Sequence, residues 1–256
     1  MKRRQLLTCT TAALLAAAPF ARAQAPVLRV GVEGNYPPFS RMGPDGKLEG
    51  FDIDIARALC ERMKVECQLV QQEWDGMMPA LRARKFDLIV ASMTITEERR
   101  KAADFSDPYY DIPSRWVARD GTVKDPSPEG LKGRRIVVLR NSPRAQYVAE
   151  RYKGSEVLLV NRETDVYLEL ASGRGDVALG SSVVASESFL KTPQGQGFSA
   201  VGAPVRLAGG GGVGIAVRKG DTALLGRINT ALKALKADGG YQRLAARYFD
   251  FDVSGS

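Results

Sequence analysis

Four residue types in the first hundred residues have the reach and charge to hold a small polar molecule. Arg99 falls in the first turn of a predicted helix opening at Thr96, where Glu97 and Glu98 suit the helix dipole. A helix N-terminus presents unpaired N–H groups, and a guanidinium beside them adds a planar two-pronged donor. Ala91-Ser92-Met93-Thr94, running into that helix, therefore reads as a carboxylate site. The competing reading pairs Arg99 with Glu98 or another surface acid. Glu33, Tyr36 and Trp74 stand at loop or strand ends of the same unit. Two aromatic rings can sandwich a flat or aliphatic cationic group, and an acid can pair with it; core packing is the commoner fate of a tryptophan.

Catalytic sets do not assemble. There is no histidine, hence neither the usual general base nor the usual metal ligand. There is no Gly-x-Ser-x-Gly and no phosphate loop, and the run Gly209-Gly210-Gly211-Gly212 lacks the Lys-Ser/Thr that would follow one. The expectation is a binding protein, not an enzyme, with no metal and no cofactor.

The start of the chain differs in kind. Met1-Lys2-Arg3-Arg4 is basic, residues 11–18 continue an apolar run too short to span a bilayer, and Ala21-Arg22-Ala23 has cleavage spacing. Residues 1–23 read as a signal peptide. The pair Arg3-Arg4 resembles a twin-arginine signal only faintly, and cleavage after Ala25 is the alternative to Ala23. The mature protein is expected in the periplasm. Without Lys2, Arg3, Arg4 and Arg22, the 37 basic residues fall to 33 against 29 acidic. The small excess is scattered, which argues against nucleic acid as a partner. Cys9 leaves with the leader, and the remaining pair, Cys60 and Cys67, is expected to form a disulfide in an oxidising compartment.

These groups must be held by α/β architecture. Residues 27–32 alternate as a strand, 51–63 carry helical spacing, and 65–70 read as a strand. A helix over 74–84, a strand over 86–91 and the helix from Thr96 follow, the alternation of a largely parallel sheet covered on both faces. The grammar restarts after a Pro/Gly-rich link at 120–133. Strands are predicted over 135–139, 157–160, 176–179 and 213–217. Helices are predicted from Ser142 with Pro143 at their first position, and over 164–171, 182–190, about 221–238 and 241–249. Two such units suggest two lobes joined by a hinge. Arg174-Gly175-Asp176 opens a predicted buried strand, a poor place to present an adhesion tripeptide.

Taken together, the motifs resemble the periplasmic solute-binding proteins of polar amino-acid ABC transporters, of the lysine/arginine/ornithine/histidine-binding type. The resemblance rests on Gly50-Phe51-Asp52-Ile53-Asp54-Ile55, the Cys60–Cys67 spacing, Trp74-Asp75-Gly76 and Ser92-Met93-Thr94-Ile95-Thr96 with Arg99. It extends to Phe105-Ser106-Asp107-Pro108-Tyr109-Tyr110 and Asp238-Gly239-Gly240-Tyr241. It implies a two-lobed Venus-flytrap fold, with residues 25–113 plus 212–256 as one lobe and 114–211 as the other. It implies a monomer that closes on a small molecule and hands it to a membrane permease. It also implies that Arg99, with Ser92 and Thr94, holds a carboxylate. Tyr36 and Trp74 would flank the side chain, Glu33, Ala91 and Ser92 would surround its cationic end, and Leu139, Ser142 and Ser181 would line the site from the second lobe.

Two residues depart from that pattern. Ser181 stands where the family normally carries an aspartate for the α-ammonium group, and Pro143, which has no N–H, where it usually has a threonine. Both changes fall on the part that reads the amino-acid backbone. The Glu33/Trp74/Ala91 side also resembles the opine-binding branch (octopine and nopaline type), whose ligands carry a substituted amine. A cyclohexadienyl-dehydratase-like enzyme on the same scaffold is a further alternative, but it would need a proton-donating acid from the second lobe, which Ser181 does not supply. A receptor's extracellular sensor lobe would need a membrane segment.

Overall fold

The computed structural model describes residues 25–207 and 210–254. The expected signal peptide, Cys9 and Gly209 lie outside the described residues. Strand Val27–Val32 turns Leu28, Val30 and Val32 into a core and pairs in parallel with Glu66–Gln71 and Leu88–Ile89. The sheet order is Glu66–Gln71, Val27–Val32, Leu88–Ile89, Ala216–Arg218, Ala103–Phe105. The late segment Ala216–Arg218 runs antiparallel to both its neighbours. The chain thus leaves this sheet after Phe105 and returns to it some 110 residues later.

A second sheet has the order Glu156–Val160, Arg135–Leu139, Val177–Ser181, Ser114–Arg119, Phe198–Val205. Its first three strands are parallel; Ser114–Arg119 is antiparallel to Val177–Ser181 and to Phe198–Val205. A small antiparallel sheet of Asn35–Tyr36, Ser40–Met42 and Leu48–Glu49 sits beside the first. These are two mixed, mostly parallel sheets flanked by helices, in two lobes.

Local chemistry fixes the helices that matter here. Thr96 caps Glu97–Ala102 by accepting from the Arg99 N–H at 3.2 Å, as its position predicts. Ser142 caps Pro143–Arg151 by accepting from the Ala145 N–H at 3.1 Å, with proline at the first position. Asp221 caps Thr222–Ala237. The long helix Phe51–Arg62 packs its Phe51 ring against Tyr241 and Phe249 at centroid distances of 5.7 and 5.2 Å, tying the C-terminus to the first lobe.

Several boundaries differ from expectation. The helix expected over 74–84 opens as a 3-10 turn, Trp74–Gly76, and becomes α-helical only at Met77–Arg82. Pro79 has no N–H to give Asp75, so an α-helix can start no earlier. The stretch 182–190 is a short α-helix, Ser182–Ala185, continued by a π turn, Ser186–Leu190. The strands Ala103–Phe105, Ser114–Arg119 and Phe198–Val205 and the small sheet were not expected. Cys60 and Cys67 are free thiols, not the expected bridge. They are close enough for their thiols to share a hydrogen bond, which pushes the Cys60 thiol up and the Cys67 thiol down. Among the described residues, no helix is long and apolar enough to cross a membrane, and no cluster of His, Cys, Asp and Glu could hold a metal ion.

Candidate functional site

Between the sheets, one narrow cavity is lined by Glu33, Tyr36, Trp74, Ala91, Ser92, Thr94, Leu139, Ser142, Pro143 and Arg144. Eight of the ten predicted ligand-binding residues are in that wall. The other two border it. The Arg99 guanidinium lies 5.1 Å above the Trp74 ring, and Ser181 ends the buried strand Val177–Ser181 next to Tyr36. A roomier groove of about 620 Å³ runs past Pro37, Pro38, Arg41 and Ser188. It gathers none of the buried charge found in the narrow cavity, so size does not mark the site.

Glu33 follows the end of Val27–Val32 and is only 1% exposed. Neither of its carboxylate oxygens meets a hydrogen-bond partner among the described residues. Burial first, and then the charge of Glu163, push this carboxyl up to about 8. A buried acid in this state is incomplete: it holds a proton or receives a cation.

Arg99 is placed by its own helix turn. One amino nitrogen donates to the Thr94 carbonyl at 2.8 Å and the other crosses the cleft to the Asn141 carbonyl at 3.0 Å. Burial, and then the nearby Arg144 cation, bring its pKa down to about 10. Arg99 does not pair with Glu98, which pairs with Lys101 instead. The competing surface-acid reading therefore falls.

Ser92 adopts φ 50°, a left-handed conformation uncommon outside glycine. Its hydroxyl donates to Asp52 at 2.8 Å and accepts from Tyr110, while Tyr109 donates to the other Asp52 oxygen at 2.7 Å. Asp52 is fully buried, which raises it to about 6 against these hydrogen bonds. With its proton committed to Asp52, Ser92 can only accept from a ligand. The wall of Glu33 and Ser92 is thus a wall of acceptors.

The second-lobe wall is different. The Ser142 hydroxyl donates to the Leu139 carbonyl and caps its helix, so it is largely occupied. Arg144, in the same helix, donates to Glu163 at 2.7 Å, with side-chain exposures of 11% and 0%. The other Glu163 oxygen accepts the Ser181 N–H at 2.7 Å. Gly180 is required there, since a Cβ would stand 2.0 Å from the Tyr167 hydroxyl and 2.9 Å from Glu163. Burial is the largest influence and opposes the Arg144 cation, but Glu163 together with Tyr36 and Tyr167 outweighs it and holds its pKa above the ordinary value.

The lobes are shut on each other. Trp74 donates to the Arg140 carbonyl at 3.2 Å, Asn141 to Asp75 at 2.9 Å, Arg162 pairs with Glu73 at 3.2 Å, and Ser188 donates to the Pro37 carbonyl at 3.2 Å.

Sequence reasoning missed Asp52, Arg144 and Glu163. Asp52 had a signal: an acid in helical phase with Ile55, Ala56 and Leu59 sits on a buried face. Arg144 and Glu163, 19 residues apart, had none.

Residues 28–251 match the bacterial extracellular solute-binding proteins, family 3. The chain belongs to that family. This family-3 protein is 45% identical to an L-arginine-binding protein of Pseudomonas aeruginosa, over the whole of both chains. It is 38% identical to a lysine/arginine/ornithine-binding periplasmic protein of Escherichia coli, again over both whole chains. Among solved structures, it resembles an ancestral arginine-binding protein bound to arginine at 38% identity and a TM-score of 0.81. The match covers 87% of this chain and 98% of that one. These relatives are binding proteins.

Proposed function

We propose that the protein is the periplasmic binding component of an ABC importer, and that it captures an arginine-like basic amino acid between its lobes. The observation that carries this reading is a pair of opposed charges, the half-buried Arg99 and the buried Glu33. Arg99 is suited to a carboxylate at one end of the cavity, and the unpartnered Glu33 to a guanidinium or ammonium at the other. Ala91, Ser92 and Thr94 complete the first-lobe wall, and Leu139, Ser142 and Ser181 the second. The names of the relatives support the same class. A division of lobes at 113/114 and 211/212, export by a leader over residues 1–23, a monomeric state and delivery to a permease belong to the same proposal.

Binding rather than turnover is favoured because the second-lobe acid at the cleft, Glu163, is fully engaged by Arg144 and the Ser181 N–H. A second ligand reading, a guanidino compound with a substituted amine of the opine kind, is favoured by Ser181 and Pro143. Neither offers an amino-acid backbone the charge or the N–H it needs.

A thermal-shift screen of the mature protein tests the main reading, since a ligand of the native state raises the midpoint with its concentration. Arginine or a guanidino derivative should shift it, and Arg99→Ala should lose the shift. No shift with any amino acid or guanidino compound, together with turnover of a prephenate-like acid, would refute it.

A further inference from the structure

One buried acid behind the cavity has no cation of its own. Asp52, in the first turn of helix Phe51–Arg62, is fully buried. In the same turn Asp54 takes Arg57 and Arg247, whereas Asp52 has no ion pair among the described residues. Its oxygens accept instead from two hydroxyls, Ser92 at 2.8 Å and Tyr109 at 2.7 Å, and the Ser92 backbone N–H also favours the ionised carboxylate. Asp52 is thus tied to both the hydroxyl and the backbone of a residue held at φ 50°. Such a conformation persists only where its surroundings over-determine it.

A serine hydroxyl has one proton and two lone pairs. In Ser92 the proton goes to Asp52, and Tyr110 donates to one lone pair at 2.5 Å. One lone pair is left for the cavity that Ser92 lines. The N–H of a cation can use it; a urea or amide oxygen cannot. Asp52 also acts by charge, as one of the groups that raise the Glu33 carboxyl. Around the cavity Asp52 and Glu33 bring two negative charges and Arg99 one positive, while Arg144 and Glu163 cancel. At the rim Glu73 and Asp75 pair with Arg162 and Arg140. A basic amino acid, with one net positive charge, neutralises that sum. A neutral one leaves a buried charge uncompensated, which is costly.

We propose that Asp52, which does not itself line the cavity, is a positioning residue that sets the charge preference of the site. By holding the Ser92 proton it leaves the cationic end of the ligand facing acceptors alone. This deepens, and rests on, the reading of Arg99 and Glu33 given above. The two can fail separately. An amide in place of the Asp52 carboxylate has an N–H to give Ser92, which frees the Ser92 proton to turn toward the cavity and makes the hydroxyl a donor. That donor suits the urea oxygen of L-citrulline and opposes the guanidinium of L-arginine.

Calorimetric titration of the mature protein with both compounds tests it. Asp52→Asn should lower the preference for arginine over citrulline by about tenfold or more, the scale of one hydrogen bond to a charged group. The fall should come from arginine, with citrulline affinity held or raised. In a Ser92→Ala background the same substitution should have an effect at least about threefold smaller, because only the through-space charge remains. A framework role would weaken both compounds alike and act equally in either background. An unchanged preference in Asp52→Asn, or a fall as large without the Ser92 hydroxyl as with it, overturns the proposal. Should Asp52→Asn not fold, Ser92→Ala alone should lower the preference by about fivefold or more, and an unchanged preference there overturns it. If Arg99→Ala abolishes arginine binding but the preference stands in Asp52→Asn, only this inference falls; if neither compound binds the unmodified protein, both fall.

Discussion

The two walls of the cleft do their work in opposite ways. The first-lobe wall is built and left open-handed: Asp52, Tyr109 and Tyr110 fix Ser92, the Thr94 carbonyl fixes Arg99, and Glu33 is buried with nothing to hold. The second-lobe wall satisfies most of its own groups, with Ser142 capping a helix and Glu163 serving Arg144 and Ser181. Charged groups are thus held ready and unsatisfied in one lobe, whereas the other satisfies its own; on the proposed function, the first would recognise charge and the second would contribute closure and discrimination. Residues of the first wall should therefore govern whether a ligand of the right charge binds, and residues of the second should govern which such compound does.

The hardest blow to that division is expected from Arg99→Ala. Removing one partner of a buried charged contact costs about 3 kcal/mol, so every ligand should lose on the order of a hundredfold in affinity by calorimetry. A loss confined to one ligand would place selectivity in the first lobe instead.

Next in size is Glu33, whose effect depends on pH. Its carboxyl is raised from an ordinary 4.5 to about 8, so the native state holds a proton that the unfolded chain has released. Glu33 thus contributes stability that is present below about 4.5 and is lost as pH rises through about 8. Glu73, Glu163 and Asp52 add to the rise and Arg144 opposes it. A bound cation favours the ionised form, so binding should release a proton and tighten with rising pH between about 6 and 8, by at most about tenfold per unit. In Glu33→Gln the dependence should flatten, and stability above pH 8 should improve. A pH-independent affinity in the unmodified protein would contradict this.

The smallest effect belongs to closure. Asp75 accepts from Asn141 across the cleft, but it is a partly exposed acid, and such contacts contribute about 0–1 kcal/mol. Asp75→Ala should weaken all ligands by less than about fivefold, chiefly through faster dissociation. A change of ligand preference would mean that closure also discriminates.

Much of this was legible in the sequence. The α/β alternation, the caps at Thr96 and Ser142, and the gathering of Glu33, Tyr36 and Trp74 near Arg99 all follow from local pattern and motif. Apart from Asp52, what escaped depends on contacts between segments distant in sequence. Ser114–Arg119 and Phe198–Val205 complete the second sheet by pairing across 79 to 91 residues, and no local period announces that. The Arg144–Glu163 pair depends on a helix start and a distant helix meeting beneath strand Val177–Ser181. Ser181 looked like a missing charge; the fold shows its N–H held by Glu163, beside a cation.

The most direct test of the account compares L-arginine with L-citrulline, its uncharged near-isostere, by calorimetry in the unmodified protein and in Glu33→Gln. If Glu33 waits for a cation while Arg99 takes the carboxylate, the unmodified protein should favour arginine by at least a hundredfold, and Glu33→Gln should reduce that preference to within about tenfold. Equal affinity for the two compounds in the unmodified protein would contradict it.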